Sequence, residues 1–304
     1  MDLLSCANTA MHHAKSQGKA CYAVFDSQMD NAARERFELE VALRRAVVSG
    51  EIHPHYQPIQ VLRTGEVVAL EALARWQRPD GSFTPPSSFI PVAEETGLIL
   101  PLGAALLHAA CTQGARWRRD LPHPRLHINV NVSERQLHQH DFVSLVQAAL
   151  RESGLPATAL TLELTESILL ENTELCFEKL EELKAGGVQL ALDDFGTGYS
   201  SLAYLSRLPV HAIKIDRSFV SALTHSDPKA LAQNDAIIRT ILALAQILQL
   251  EVTAEGIEEL AQKQRLIALG ARFAQGYLFC TPLPAQAIPH VLAQMHLPRS
   301  QRAA

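Results

Sequence analysis

Five carboxylates, Glu71, Glu163, Asp193, Asp194 and Glu255, lie near the C-terminal ends of short apolar runs, where a strand buried on both faces should carry no charge. Asn131, Lys214 and Gln275 occupy equivalent places in neighbouring runs. One strand-end acid has an ordinary explanation as a helix N-cap or a solvated rim charge. A series in the same position along successive runs does not. Carboxylates crowded into one pocket resist ionisation unless a cation compensates them, and Lys214 alone cannot balance five. Oxygen donors with an amide and no thiolate suit hard ions, Mg²⁺ or Mn²⁺, rather than a structural zinc. There are enough acids for two ions, the arrangement that stabilises both the attacking and the leaving oxygen of a phosphoryl displacement.

The elements that must position these groups are legible in the hydrophobic pattern. Apolar runs rich in Val, Ile and Leu cover 53–62, 67–76, 125–133, 160–167, 188–196, 212–219, 251–258 and 272–280. Segments of helical period separate them over 101–119, 141–153, 173–185, 228–250 and 258–269. Only the first connection, 63–66, is too short for a crossover helix, so the first two strands should pair antiparallel through a turn at Thr64-Gly65. This pattern predicts an α/β fold, a modified TIM (β/α)8 barrel with one antiparallel strand. The C-terminal rim of such a barrel gathers strand-end residues and is where barrel enzymes keep their chemistry. Residues 31–49 read as an amphipathic helix, either a linker or the barrel's first helix, and Gly50 ends it.

At Glu71-Ala72-Leu73-Ala74-Arg75-Trp76 the chain resembles the signature of the EAL family of cyclic di-GMP phosphodiesterases. The resemblance extends through Tyr56-Gln57-Pro58-Ile59, Asn131-Val132-Ser133, Glu163-Leu164-Thr165-Glu166 and the stretch from Asp193-Asp194-Phe195-Gly196 to Leu202. It continues through Lys214-Ile215-Asp216, Ala254-Glu255-Gly256 and Gln275-Gly276-Tyr277, and covers roughly 37–296. It implies hydrolysis of cyclic di-GMP to linear pGpG by metal-activated water. By that resemblance Glu71, Asn131, Glu163 and Asp193 are ligands of one ion. Asp193 bridges to a second ion that Asp194 helps to hold, and Glu255 is a ligand or a base. Lys214 positions the water and stabilises developing charge. Gln275, Arg75 and Gln57 match polar and substrate-contacting positions, while Gly196, Thr197 and Gly198 match a loop that orders the site and often meets a dimer partner. Glu166 and Glu258 match acids that hold such loops.

Residues 1–29 resemble the end of a GGDEF domain, with Ala10 to Lys19 similar to its last helix and Cys21 to Asp26 to its last strand, but the synthase motif is absent. The expected division is therefore a GGDEF remnant and linker over 1–30, an EAL domain over 31–297 and a tail over 298–304. Sensory and GGDEF regions would lie upstream in a longer, homodimeric protein. That protein is expected to be cytoplasmic, or tethered to a membrane through its N-terminal region.

Composition limits the rivals. With a net charge of −5, no Lys/Arg run and no basic groove signal, the 304-residue chain is not expected to hold DNA or RNA, which argues against a general two-metal nuclease. A non-catalytic cyclic di-GMP receptor is the remaining alternative; such proteins commonly lose metal ligands, and every matched position is filled here. The five cysteines are widely spaced without CxxC and read as reduced thiols. Of 13 histidines, the alternating pairs His53/His55 and His138/His140 read as surface or supporting residues. Gly196 to Ser201 forms only a broken GxGxxG after an acidic pair, which would repel a pyrophosphate.

Overall fold

The computed structural model describes residues 10–11, 22, 24–121, 125–166, 174–197, 205, 207–225 and 227–296. Two compact units emerge, one made of 53–75 and 103–304 and the other of 1–52 and 76–102. The strands are β1 (Ile52–Val61), β2 (Val67–Gln77), β3 (Phe83–Thr84), β4 (His127–Val132), β5 (Leu160–Thr165), β6 (Gln189–Phe195), β7 (Ala212–Ile215), β8 (Glu251–Ala254), β9 (Phe273–Ala274) and β10 (Leu283–Pro284).

In the larger unit, β2, β4, β5, β6, β7, β8 and β9 run parallel in that order. β1 pairs antiparallel with β9 and also pairs with β2, which closes an eight-stranded ring. The β1–β2 connection is the tight turn read from the sequence: Val61 N–H donates to Glu66 O at 2.8 Å and Gly65 N–H to Val61 O at 2.8 Å. This is the modified TIM barrel expected. β10 was not expected; it pairs antiparallel with the first half of β1 through His55 and Tyr56. A two-residue strand is too short to leave a periodic signal.

Outward-facing strand residues such as Leu70, Ile128, Leu162, Leu190 and Ile213 are fully buried beneath the helices Phe142–Ser153, Glu174–Ala185, Pro228–Ile247 and Leu260–Leu269. These helices start and stop where local chemistry requires. Asp227 caps one, its side chain accepting from Lys229 N–H before Pro228 at the first helical position. Gly154 and Gly270 close two others in the left-handed region.

The inside of the barrel changes character along its axis. Ile59, Ala69 and Phe273 form a small apolar cluster. Two residues further toward the C-terminal rim on the same strands, and therefore on the same face, stand Gln57, Glu71 and Gln275, all buried and all polar. On β1 the count runs backwards because that strand is antiparallel. The apolar layer plugs one end of the barrel and the polar layer floors a site at the other.

In the smaller unit the helix Ser27–Ser49 starts a turn earlier than the sequence pattern indicated, and it packs against the helix Pro86–Thr96. Leu43 and Ala46 are its buried contacts. Trp76 is fully buried, its ring edge-on to Phe89 at 5.6 Å and its Nε1 donating to Glu51 Oε2 at 3.2 Å. The strand expected over 21–26 is not formed at the described positions Tyr22, Val24, Phe25 and Asp26. A strand exists only as part of a ladder, and that stretch was a lone strand signal in its part of the chain. Of the GGDEF-like stretch, residues 1–9, 12–21 and 23 lie outside the described residues, as do the tail over 298–304 and Gly198.

Candidate active site

Lys214 is the centre of the polar layer. Carried on β7 and 2% exposed, it sets its Nζ 2.5 Å from Glu255 Oε1, 2.9 Å from Glu163 Oε2, 3.3 Å from Glu71 Oε2 and 3.4 Å from Asp193 Oδ1. Amides complete the shell. Asn131 Nδ2 donates to Glu71 Oε1 at 2.7 Å, and Gln275 Nε2 donates to Glu71 Oε2 at 2.5 Å and to Glu255 Oε1 at 2.9 Å.

Strand register explains most of this convergence. Glu71 on β2 is level with Asn129 on β4, and Asn131 is level with Glu163 on β5. Asp193 on β6 is level with Thr165. Consecutive residues of a regular strand point to opposite faces, so Asp193 and Asp194 should not share a site. A bulge resolves this: between Leu192 and Phe195, three steps along β6 answer two along β7, and Asp194 takes a left-handed φ of +54°. Oxygens of Asp193, Asp194 and Glu255 consequently lie within 4.8 Å of one another.

Electrostatics reflects the excess of acid. Burial pushes the Glu71 carboxyl up, but the Lys214 ammonium and the hydrogen bonds from Gln275 and Asn131 outweigh it and hold Glu71 below its ordinary value. Burial and the neighbouring Glu71 push Glu163 well up despite Lys214. Burial raises Glu255 to about 8, with Asp193 and Glu71 adding to the effect. Asp194 is raised by burial and by Asp193 and Asp216. Burial opposes the charge on Lys214, yet its four carboxylates together raise its pKa. Five carboxylates against one ammonium leave four negative charges, so the cluster must hold protons or cations.

The residues fit a divalent cation. Every ligand atom is a hard oxygen, and the buried Gln275 Oε1 has no protein partner although the Nε2 of the same amide is doubly engaged. Asn129 was missed from sequence. It is buried, donates from Nδ2 to Glu163 Oε1 at 2.8 Å and leaves its own Oδ1 without a protein partner. The signal was its spacing: two residues before Asn131, it must share the inward face.

The other predicted residues fall into two groups. At the mouth, buried Gln57 donates from Nε2 to Cys280 O at 2.9 Å, and half-buried Arg75 interacts electrostatically with Glu71 and Tyr277. Beside the bulge, Glu166 Oε2 accepts from Gly196 N–H at 3.0 Å and Thr197 Oγ1 donates to Asp194 O at 2.9 Å. Glu258 stands apart, its side chain exposed and its backbone N–H donating to Gln262 Oε1.

Gly276 makes the Gln275–Glu255 contact possible. A Cβ there would meet Ile257 O at 2.1 Å and Ile257 N at 2.2 Å, backbone atoms that cannot move aside. The same approach carries the hydrogen bonds Ile257 N–H to Gln275 O and Leu278 N–H to Ile257 O. Gly276→Ala is therefore expected to cost about 1–3 kcal/mol of stability and to weaken divalent-ion binding at Glu255. Melting curves and ion titration check this; unchanged values for both would contradict the packing argument.

Comparison with known proteins agrees with this geometry. The EAL domain family model matches residues 40–282. The bifunctional diguanylate cyclase/cyclic di-GMP phosphodiesterase MucR of Pseudomonas aeruginosa is 40% identical over 94% of this chain and 41% of its own length. The cyclic di-GMP phosphodiesterase PdeR of Escherichia coli is 40% identical over 92% of this chain and 41% of its own. The chain thus spans only about a third to two fifths of the curated relatives it matches first. A solved structure of the PaMucR phosphodiesterase in complex with c-di-GMP superposes with a TM-score of 0.78 at 39% identity, covering 83% of this chain and 99% of that one. The chain belongs to the EAL domain family.

Proposed function

We propose that this chain hydrolyses cyclic di-GMP to linear pGpG with two divalent ions, Mg²⁺ or Mn²⁺, as one domain of a longer bacterial signalling protein. The observation that carries the proposal is the carboxylate cluster: four acids around Lys214, with exposed Asp194 beside Asp193 and Glu255, leave four negative charges in excess when all are ionised, which two divalent ions would cancel. Glu71, Asn131, Glu163 and Asp193 would hold one ion, and Asp193, Asp194 and Glu255 the other. When bound, such ions lower the pKa of water and neutralise charge at phosphorus.

The chain's own residues supply the rest. Arg75 offers a guanidinium fork to a phosphate or a guanine edge, with Gln57 beside it at the mouth. Where Glu255 stays off the ion, its carboxylate is the group suited to take the proton of the attacking water. The water oxygen forms the new P–O bond and the bond to the 3′ oxygen breaks; that oxygen takes up a proton from solvent while the base releases the one it took from water, giving the 5′-phosphate of pGpG. Lys214 offsets the negative charge that builds during this exchange. The division into a GGDEF remnant, EAL domain and tail, a homodimeric state and a cytoplasmic location belong to the same reading. No described helix is long and apolar enough to cross a membrane.

The test is incubation with cyclic di-GMP plus Mg²⁺ or Mn²⁺, with and without chelator. Formation of pGpG only with metal supports the enzyme; binding without turnover would replace it with a receptor. The proton inventory gives a second expectation. Ions and protons compete for Glu163 and Glu255, so ion affinity should rise with pH as these two raised carboxyls release their protons. In the ion-free chain a carboxyl whose folded pKa is raised stabilises while protonated. That contribution is complete below about 4.5 and is lost as pH rises through about 8. Calorimetric titration in buffers of different ionisation enthalpy measures the released protons, and no release would contradict the raised carboxyls.

A further inference from the structure

Asn129 stands on the inward face of β4 and is 8% exposed. It is level with Glu71 on β2 and with Thr161 on β5, so its amide reaches along the barrel axis to Glu163, two residues beyond Thr161. Glu163, whose side chain has no solvent exposure, is thereby held at both oxygens. Oε1 accepts from Asn129 Nδ2 at 2.8 Å, and Oε2 accepts from Lys214 Nζ at 2.9 Å. One donor comes from β4 and the other from β7, so the carboxylate is fixed between them. Other buried amides brace the chain by binding backbone: Gln57 donates to Cys280 O and Asn234 to Phe219 O. Asn129 binds a carboxylate instead, and its own buried Oδ1 has no protein partner. An unpaired buried carbonyl destabilises the fold, and an apolar side chain of the same size would fill the space without that penalty. Packing does not account for an amide here; its bond to Glu163 does.

We infer that Asn129 is a positioning residue that, by holding Glu163 Oε1, fixes the Glu163 carboxylate and makes the acidic site prefer Mg²⁺ to Ca²⁺. The inference rests on the reading of the cluster as a divalent-ion site. Mg²⁺ demands near-ideal octahedral geometry, with oxygens at short and uniform distances, whereas Ca²⁺ takes more oxygens in looser geometry and accepts a carboxylate through one oxygen or through both. A carboxylate pinned at each oxygen by a separate donor suits the first ion and restrains the second from engaging both oxygens. Without the Asn129 bond, Glu163 keeps only Lys214 at Oε2 and is free to turn Oε1 inward. Selectivity between these ions follows the number and the freedom of the ligands, and the groups that orient a ligating carboxylate govern affinity nearly as strongly as the ligand itself.

Titration calorimetry on the chain, with Mg²⁺ alone and with Ca²⁺ alone, tests the assignment. Asn129→Leu keeps the shape of the side chain while removing both the donor to Glu163 and the unpaired carbonyl. The expected result is a rise of about tenfold or more in the Mg²⁺ dissociation constant, with that of Ca²⁺ moving less than about threefold. Melting in chelator should stay within about 4 °C of the wild type, because the lost hydrogen bond is offset by removal of the orphaned Oδ1. Thr161→Val alters the neighbouring inward side chain at the same level of the barrel and should leave both constants within about twofold. Unchanged Mg²⁺ binding in Asn129→Leu, equal weakening of both ions, or a loss that Thr161→Val reproduces would each overturn the inference. So would a variant that melts far below the wild type in chelator, which would make Asn129 a brace of the fold. Wild-type chain titrated alongside separates the two readings: if it binds Mg²⁺, a negative result is specific to Asn129. If it binds neither ion, the ion site itself falls and takes this inference with it.

Discussion

Replacing Glu71 by alanine is expected to lower pGpG formation at least about a thousandfold while leaving a cooperatively folded chain, a loss of several kcal/mol of transition-state stabilisation. Both Glu71 oxygens are committed: Oε1 accepts from Asn131, and Oε2 accepts from Gln275 and sits 3.3 Å from Lys214. It is the carboxylate of the cluster whose surroundings hold it below its ordinary pKa, so it is ionised and ready for a cation when Glu163 and Glu255 still carry protons. Removing it takes away a ligand and frees Asn131 and Gln275 to turn. The folding cost is the smaller effect, about 1–3 kcal/mol for donors left without their partner. Gln275 keeps its bond to Glu255, and the barrel's apolar layers are untouched. A pGpG assay paired with thermal melting distinguishes these contributions. Retention of more than about a tenth of wild-type activity would remove Glu71 from the reaction.

Much of this site was legible in the sequence because each residue broke a rule that its surroundings enforce. An acid at the end of an apolar run is conspicuous wherever the run must be buried on both faces, and Glu71, Glu163 and Glu255 all follow that pattern. The barrel was legible for the same reason, with the short Thr64-Gly65 connection fixing the one reversed strand. Three features were not. The bulge at Asp193-Asp194 has no composition of its own; a left-handed aspartate is visible only in backbone angles. β10 and the strap before it are too short for periodicity, so the carbonyls that hold Gln57 and His55 could not be anticipated. The sequence reads Lys214 as a cation too weak to balance five acids and, by resemblance, as a group that positions water and stabilises developing charge, but not as the centre of the cluster. Its place among four carboxylates depends on register across neighbouring strands, which no single run contains.

That central lysine gives the second large effect. Lys214→Met keeps the length of the side chain but deletes the ammonium, leaving four buried or partly buried acids without their cation. Breaking a buried ion pair in this way costs about 3–5 kcal/mol. The cost must depend on pH, because Lys214 holds Glu163 and Glu255 down and both rise further without it. A carboxyl with a raised folded pKa stabilises only while protonated, from below about 4.5 until pH climbs through its folded value. At pH 5 to 6 protons therefore substitute for the ammonium, and the variant should melt close to the wild type. As pH climbs past those raised values they cannot, so in chelator the gap should widen steadily with pH. Mg²⁺ or Mn²⁺ should then narrow it, since a divalent cation supplies the missing charge, as ligand binding to the folded state does generally. Turnover should stay down at least about a hundredfold even with saturating metal. The charge balance of the resting site is restored, but the preorganised donor against Glu255 and the developing phosphoryl charge is not. Melting at pH 6 and 9, with chelator and with metal, reads all of this in one series. A deficit that ignores both pH and metal would mean that Lys214 fills space rather than balancing charge.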